Sequence, residues 1–239
     1  MYPYFKRFFD LFFTTLGVLI LSPLLIPIFI ALKITDEGEV FYFQERIGYN
    51  FELLKIFKLA TMLKNSPSIG NKTVTLRNDP RITKVGKYLR ITKINELPQI
   101  FNVILGDMSL VGPRPLLFKS FKKYTLDVQD VIYKNRPGIT GIGSLIFRDE
   151  EKLVSEVKKR GGEPLEYYQS HIYPYKGALE KWYYHNISFT TDFIILFLTF
   201  WQIVSPKSQL VFSAFKDLPQ RPETLTIEGI HQLYKPIAQ

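Results

Sequence analysis

The chain has 239 residues, enough for one ordinary domain with a sizeable core. A hydrophobic content of 46% excludes a disordered chain, and the lack of cysteine excludes a disulfide scaffold, a thiol nucleophile and thiolate-bound zinc or iron–sulfur sites. Lysine and arginine exceed aspartate and glutamate by 31 to 22, giving a net charge of +9, yet mean hydropathy is zero, so the apolar residues must be concentrated in particular segments.

The first concentration runs from Leu11 to Leu32, 22 residues without a charge. As a helix it would reach about 33 Å, close to the thickness of a bilayer core. Lys6 and Arg7 precede it as in a signal peptide, but Asp10 enters the run and no small-residue cleavage site follows in residues 34–40. Ser22-Pro23 at its midpoint and Pro27 beyond predict a sharp kink, with the Ser22 hydroxyl returning to a carbonyl freed in the preceding turn. Basic residues flank both ends, namely Lys6 and Arg7 before and Lys33, Arg46, Lys55 and Lys58 after, which places both ends on the cytoplasmic side. A re-entrant helical hairpin and a kinked span both remain open on this pattern.

Val40–Phe43 and Leu53–Leu59 read as strands joined through Gly48-Tyr49-Asn50, a β-hairpin. Asn65–Thr75 is a polar loop by composition. Asn95 is positioned to cap a helix through Ile104, with Pro98 in its first turn and Gly106 as its stop. Residues 111–115 (VGPRP) must be extended, because each residue before proline is pushed out of the helical region. Leu116–Tyr133 mixes Leu, Phe and Tyr with Lys119, Lys122 and Lys123, a pattern shared by a helix on anionic headgroups and a solvated surface helix. Residues 136–143 (RPGITGIG) read as a Gly-rich loop, helices follow over Asp149–Gly161 and Pro164–Trp182, and the uncharged Phe193–Pro206 suits a core or interfacial helix. From Ser205 four prolines predict a poorly ordered or surface-draped tail.

Phosphate-loop, dinucleotide, zinc-protease and serine-hydrolase motifs are absent, and His171, His185 and His231 are scattered. What stands out is a dense polar block on short turns between Lys58 and Arg136: Asp79-Pro80-Arg81, Arg90, Asn95-Glu96, Gln99, Asp107, Arg114 and Arg136. Prolines on both sides of Arg114 hold its guanidinium fork at a defined angle, which suits phosphate oxygens. Glu96 at a helix start lies beside free backbone donors that also favour phosphate. Carboxylate, arginine and helix start together point to metal-assisted phosphoryl chemistry beside a membrane. The acidic run Asp149-Glu150-Glu151 is either a further carboxylate source or a helix N-terminal charge cluster.

The strings KRFFDLFF…LSPLLIPIFIALK, FYFQERIGYNFELLKIFKLATM, DPRITKVGKYLRITKINELPQIFNVILGDMSLVGPRP, RPGITGIG and YYHNISFTTD, in this order over about residues 4–204, closely resemble the bacterial sugar transferase family. These are monotopic phosphoglycosyl transferases that begin exopolysaccharide, capsule, O-antigen (lipopolysaccharide) or glycoprotein glycan assembly. The resemblance implies transfer of a sugar phosphate from a nucleotide sugar, usually a UDP-sugar, to a polyprenol (undecaprenyl) phosphate, with UMP released and magnesium or manganese as cofactor. It implies an α+β, mainly helical fold with three parts: a re-entrant membrane anchor over 1–35 broken at Ser22-Pro23, a compact catalytic domain with a small β-hairpin and interfacial helices over 36–204, and an extension over 205–239. That domain would face the cytoplasm from the bacterial inner membrane, in contact with membrane lipids.

One position departs from the family pattern. Asn95 stands where an aspartate nucleophile is usual, and an amide has no anionic oxygen with which to attack phosphorus. Three accounts stay open: Glu96 as nucleophile, direct transfer, or a catalytically silent membrane scaffold that keeps the lipid-binding shape. On the resemblance, Glu96 with Asn95 or Asp107 would hold the metal. Arg114, Lys58 and Arg90 would take phosphate oxygens, Gln99 would orient Glu96, and Asp192 would bind substrate or serve as a structural helix-start charge. A nucleic-acid partner is not expected, because the basic residues are interleaved with apolar runs rather than gathered on one stripe. The apolar 193–206 face suits a homodimer as readily as a membrane.

Overall fold

A computed structural model of the chain describes residues 2–34, 37–66 and 79–234, and its first element is a single long helix, α1 (Tyr2–Ile34). Most of the loop expected over 65–75 lies outside the described residues. α1 is long and apolar enough to cross a membrane by length and composition. It runs through Pro23 and Pro27 as one continuous helix, without the break expected at Ser22-Pro23. The reason is local. Pro23 cannot donate to the carbonyl four residues back, and the Ser22 hydroxyl donates to that same Leu19 oxygen at 3.1 Å.

Both halves of α1 dock on the remainder of the chain. In the first half, Lys6 pairs with Asp192 and donates to the Val111 carbonyl at 2.8 Å. Arg7 donates to the Val103 and Ile104 carbonyls at 2.5 and 2.9 Å, and the buried Asp10 accepts from Ser109 Oγ and Leu110 N–H at 3.1 and 3.0 Å. In the second half, the fully buried Leu32 packs with Leu59 and Leu89, and the Phe29 and Phe41 rings lie 5.3 Å apart. Between these anchors the apolar face carrying Leu16, Leu19, Ile20, Leu24, Ile26 and Ile30 is exposed.

The hairpin forms as expected, with β1 (Phe41–Ile47) antiparallel to β2 (Leu53–Leu59) in the register Tyr42 opposite Lys58 and Arg46 opposite Leu54. Alternation on β2 sends Leu54 and Ile56 into the core, and Lys58 shares their face. α2 (Lys84–Ile91) is capped by Thr83, whose hydroxyl accepts from Gly86 N–H at 2.9 Å. Lys93 in the left-handed region (φ 61°) then turns the chain into a single 3₁₀ turn, Ile94–Glu96. Asn95 therefore does not cap the next helix. That helix, α3 (Gln99–Leu105), starts after Pro98, which suits its N-cap because the missing donor costs nothing there, and it ends at Gly106 (φ 96°) as expected.

β3 (Ser109–Val111) leads into the extended 112–117 segment. Residues 116–133 form two short helices, α4 (Phe118–Phe121) and α5 (Leu126–Ile132), rather than one. Phe121, Tyr124, Val128 and Ile132 bury one face against Ile47 and Tyr133, while Lys119, Lys122 and Lys123 are exposed on the other. The expected Gly-rich loop is instead a strand, β4 (Gly138–Thr140), parallel to β3, followed by α6 (Ile142–Ile146). The glycines serve close approach rather than looseness: a Cβ on Gly138 would fall 2.1 Å from Gly112 N.

α7 (Glu150–Lys159) and α8 (Pro164–Tyr167) follow, and α8 passes through a wider π turn over 168–172 into α9 (Tyr173–Asn186). α10 (Phe189–Val204) is capped by Ser188, which accepts from Thr191 N–H at 3.1 Å. It buries Thr191, Asp192, Ile195, Leu198 and Gln202 and exposes Phe193, Phe197, Phe200, Ile203 and Val204. Phe189 stacks its edge on Phe5 and Phe9 of α1, with centroids 5.7 and 4.9 Å apart.

The tail differs from expectation. α11 (Leu210–Ala214) and α12 (Ile227–Leu233) pack onto the main core through Val211, Phe215, Leu225 and Ile230. Trp182 Nε1 donates to Asp217 at 2.9 Å, Tyr167 OH to the Thr224 carbonyl at 2.6 Å, and Tyr175 OH to the Pro219 carbonyl at 3.0 Å. Prolines fix the turns between short apolar contacts that composition alone reads as disorder. Leu225→Ala, at a fully buried position, is expected to cost about 3 kcal/mol in denaturant unfolding. Leu210→Ala, at a largely exposed one, is expected to cost less than about 1 kcal/mol.

Candidate active site

Three separately folded segments bring their polar ends together. β2 carries Lys58 on its inward face, the 3₁₀ turn carries Glu96, and the extended segment after β3 carries Arg114 between its two prolines. Glu96 Oε1 lies 3.0 Å from Arg114 Nη2 and 3.5 Å from Lys58 Nζ. Burial alone would raise the Glu96 carboxyl, but the Arg114 and Lys58 charges outweigh it and hold the group well below the usual carboxylate range. Arg114 is raised in turn by Glu96, and burial pushes Lys58 down to about 8 against the pull of Glu96. Lys58 and Glu96 are largely buried, whereas the Arg114 side chain is 43% exposed.

The hairpin adds a further cation. Arg46 sits two residues from Gln44 on the same strand face, donates to its Oε1 from Nε and Nη2 at 3.2 and 2.6 Å, and donates from Nη1 to the Pro115 carbonyl at 3.3 Å. Tyr133 OH donates to the Arg114 carbonyl at 3.0 Å and accepts from Leu116 N–H at 2.8 Å. On the far side of Arg114, Glu150 pairs with Lys176, and Tyr168 OH donates to Glu150 at 3.1 Å. Burial would raise Glu150, but Lys176 and Arg114 bring it below its ordinary value. Glu180, one turn after Lys176 on α9, is buried, and burial pushes its carboxyl up to about 8.

Arg46, Lys58, Arg114 and Lys176 thus face the two ionised carboxylates Glu96 and Glu150, with Glu180 mostly protonated at neutral pH. The cluster carries a positive surplus that a phosphate or diphosphate would neutralise.

Other residues picked from the sequence make contacts of their own. Arg90 pairs with Glu151 at 3.4 Å, beside Glu150 in sequence. Asp192 accepts from Tyr2 OH at 2.5 Å, from Tyr183 OH at 2.7 Å and from Lys6, at the seam of α1 and α10. Asp107 is exposed past the other end of α3. Arg81 pairs with Asp79, and Arg136 donates to the Gly106 carbonyl. Gln99 is buried at the first position of α3, while Glu96 takes its ion pairs from Lys58 and Arg114.

Among the described residues no group of three or more His, Cys, Asp or Glu side chains is arranged to hold a metal. The oxygen donors at the 3₁₀ turn are the Glu96 carboxylate and Asn95 Oδ1, which is buried without a hydrogen-bond partner. Mg²⁺ keeps several waters and takes one or two carboxylates together with substrate phosphates. The pair therefore fits a hard cation that arrives with a diphosphate.

Arg46, Tyr168, Lys176 and Glu180 were not singled out by sequence reasoning, and Glu150 only within an acidic run. One signal was present: the i, i+4 pair Lys176 and Glu180 within an expected helix.

A model of the bacterial sugar transferase family matches residues 1–206. The chain is 32% identical over 209 residues to the exopolysaccharide production protein ExoY of Rhizobium meliloti, covering 81% of this chain and 83% of that protein. It is 33% identical over 209 residues to the undecaprenyl-phosphate galactose phosphotransferase of Salmonella typhimurium, covering 81% of this chain and 39% of that protein. It is 34% identical over 208 residues to an uncharacterized sugar transferase of Haemophilus influenzae, again 81% of this chain but 40% of that protein. The chain thus spans about two fifths of the length of the latter two relatives.

Binding of inorganic pyrophosphate, followed by calorimetry, is expected to weaken as pH rises through about 8, where Lys58 loses its proton. The step should be smaller in Lys58→Arg, whose guanidinium keeps its charge through that range.

Proposed function

The chain belongs to the bacterial sugar transferase family, and from that premise we propose that it transfers a sugar phosphate from a UDP-sugar to undecaprenyl phosphate, releasing UMP. The observation that carries this reading is the Glu96 carboxylate held between Lys58 and Arg114 within a cluster of surplus positive charge. The names of relatives agree with it: one is an undecaprenyl-phosphate galactose phosphotransferase, and another, from Klebsiella pneumoniae and 37% identical over 161 residues, is a UDP-glucose:undecaprenyl-phosphate glucose-1-phosphate transferase.

In the proposed reaction, the exposed Arg114 meets the donor diphosphate first, with Lys58 and Arg46 behind it. Phosphoryl transfer needs mainly positioning and neutralisation of charge on the phosphate oxygens, which these cations supply. As the diphosphate takes over the cations, the Glu96 carboxylate is released toward it. Glu96 then attacks the phosphorus bearing the sugar, the bridging P–O bond breaks, and UMP leaves with both bonding electrons. A phosphate oxygen of undecaprenyl phosphate next attacks the same phosphorus, breaking the acyl–phosphate bond and restoring the carboxylate. Mg²⁺, held by Glu96 and Asn95 Oδ1 together with the diphosphate, would offset phosphate charge. A second reading, a silent scaffold, is favoured by one observation alone: Asn95 at the position where the family resemblance expects an aspartate.

The same proposal places the catalytic body on the cytoplasmic face of the inner membrane, with α1 immersed and not spanning. Docking of both halves of α1 on one body supports this, as does the exposed Phe stripe of α10 beside α1. The product would be the lipid-linked first sugar of an exopolysaccharide or lipopolysaccharide.

With purified protein, Mg²⁺, undecaprenyl phosphate and a panel of UDP-sugars, UMP release is expected for at least one donor. Absence of UMP with every donor favours the scaffold. Arg114→Ala should lower the rate about 100-fold. Glu96→Gln should abolish a phosphosugar adduct detectable by mass spectrometry, and Asn95→Asp should restore transfer in that background. Full activity of Glu96→Gln alone would remove Glu96 as nucleophile. For topology, single cysteines replacing Tyr4 and Glu37, both exposed, are expected to be labelled from the same side of sealed vesicles.

A further inference from the structure

The β-hairpin has two unlike faces. One packs inward through Leu54 and Ile56 and carries Arg46 and Lys58. The other carries Phe41, Phe43 and Phe57 at the end nearer α1, followed by Glu45 directly opposite Lys55, both exposed. Phe41 and Phe43 are 40% and 56% exposed. Their rings form an unbroken row from helix to sheet. Phe29 of α1 lies 5.3 Å from Phe41, Phe41 lies 6.4 Å from Phe43, and Phe43 lies 5.2 Å from Phe57 across the two strands.

This row is continuous with the apolar surface of α1. Ile26 and Ile30, three residues before Phe29 and one after it, are exposed on that helix. The sheet therefore widens the apolar surface beside the second half of α1, as α10 does beside the first half through Phe189 against Phe5 and Phe9. A contiguous apolar surface of this kind marks a contact with a partner or a membrane rather than with water.

The residue pattern also marks a depth. Successive residues on one strand face are about 7 Å apart. One such step beyond the Phe43–Phe57 pair, the face changes from two phenylalanines to a glutamate and a lysine. Among the described residues β1 pairs with β2 alone, and the backbone groups on its outer edge need water. The strands themselves therefore suit the level of lipid headgroups, with the rings reaching below them into the acyl chains.

We propose that the Phe41–Phe43–Phe57 face of the hairpin is a lipid-contacting surface, seated at the boundary between headgroups and acyl chains of the leaflet that holds α1. The proposal rests on the reading of α1 as immersed. A helix alone in a leaflet can roll about its own axis, and a contact to one side of it stops that motion. With the aromatic face held down, the opposite face of the same two strands, bearing Lys58 and Arg46, is turned away from lipid while staying near headgroup height.

The chain has no cysteine, so single cysteines carry a nitroxide at chosen positions of the full chain in phospholipid vesicles. Collisions with molecular oxygen, which concentrates among acyl chains, are compared with collisions with a water-soluble nickel chelate. Phe43→Cys is expected to favour oxygen and Glu45→Cys the nickel chelate, although the two positions are neighbours on one strand face. Leu24→Cys, exposed on α1, reports separately whether the helix is immersed. Nickel dominating at position 43 while oxygen dominates at position 24 would overturn the proposal and leave the immersion of α1 standing. Nickel dominating at both would overturn the two together. Protection from both reagents at position 43, with magnetic broadening between labels, would put a second copy of the chain on this face and also overturn the proposal. Should Phe43→Cys fail to fold, Phe41→Cys is read in its place, with oxygen expected to dominate and nickel dominance overturning the proposal.

Discussion

A largely buried carboxylate has to be paired, and Glu96 finds its partners only when three distant segments meet. Lys58 comes from the inward face of a strand, Glu96 from a turn set up by the left-handed Lys93, and Arg114 from an extended segment fixed by two prolines. Removing either cation leaves charge uncompensated in a poorly solvated place, so the hairpin, the turn and the segment after β3 constrain one another. The arrangement also leaves the cations in surplus. A site with one carboxylate shared between two cations can exchange that carboxylate for a phosphate at little electrostatic cost, which is what the proposed transfer requires.

The apolar helix is tied to the same segment. Lys6 donates to the Val111 carbonyl, three residues before Arg114, and pairs with Asp192, while Tyr183 from α9 donates to Asp192 as well. Arg7 covers two carbonyls at the C-terminal end of α3, where a cation is favoured by the helix dipole. The docking of α1 and the position of the Arg114 turn are thereby linked through a few charged contacts. Asp192 belongs to this linkage rather than to the Glu96 cluster. At the opposite side, the C-terminal helices pack on the core formed by α7 and α9, the helices that carry Glu150, Lys176 and Glu180.

Much of this was legible in the chain. The hairpin, the stop at Gly106, the extended VGPRP segment and the apolar terminal helix follow from alternation, glycine, proline and hydrophobic runs, which act over a few residues. The errors share a cause. Gly-rich 136–143 became a strand because its glycines allow two backbones to approach, and the Pro-rich tail became packed helices because Leu225 and Ile230 found a surface to cover. Neither partner is visible from within the segment itself. Asn95 lost its expected capping role because the left-handed Lys93 inserted a 3₁₀ turn ahead of the helix.

The sequence by itself determined the long apolar N-terminal segment, the proline-fixed Arg114, the Asn95-Glu96 pair and the family to which the chain is similar, since each is written in neighbouring residues. Only the tertiary structure decided which charges share a site. It brought Lys58 and Arg114 to Glu96, Lys176 to Glu150 and Arg46 to the Pro115 carbonyl, while Asp192 takes its contacts from Tyr2, Lys6 and Tyr183. Charge pairing acts through space at a few ångströms, and separations of 18 residues (Glu96 to Arg114), 26 (Glu150 to Lys176) and 38 (Lys58 to Glu96) along the chain carry no trace of it.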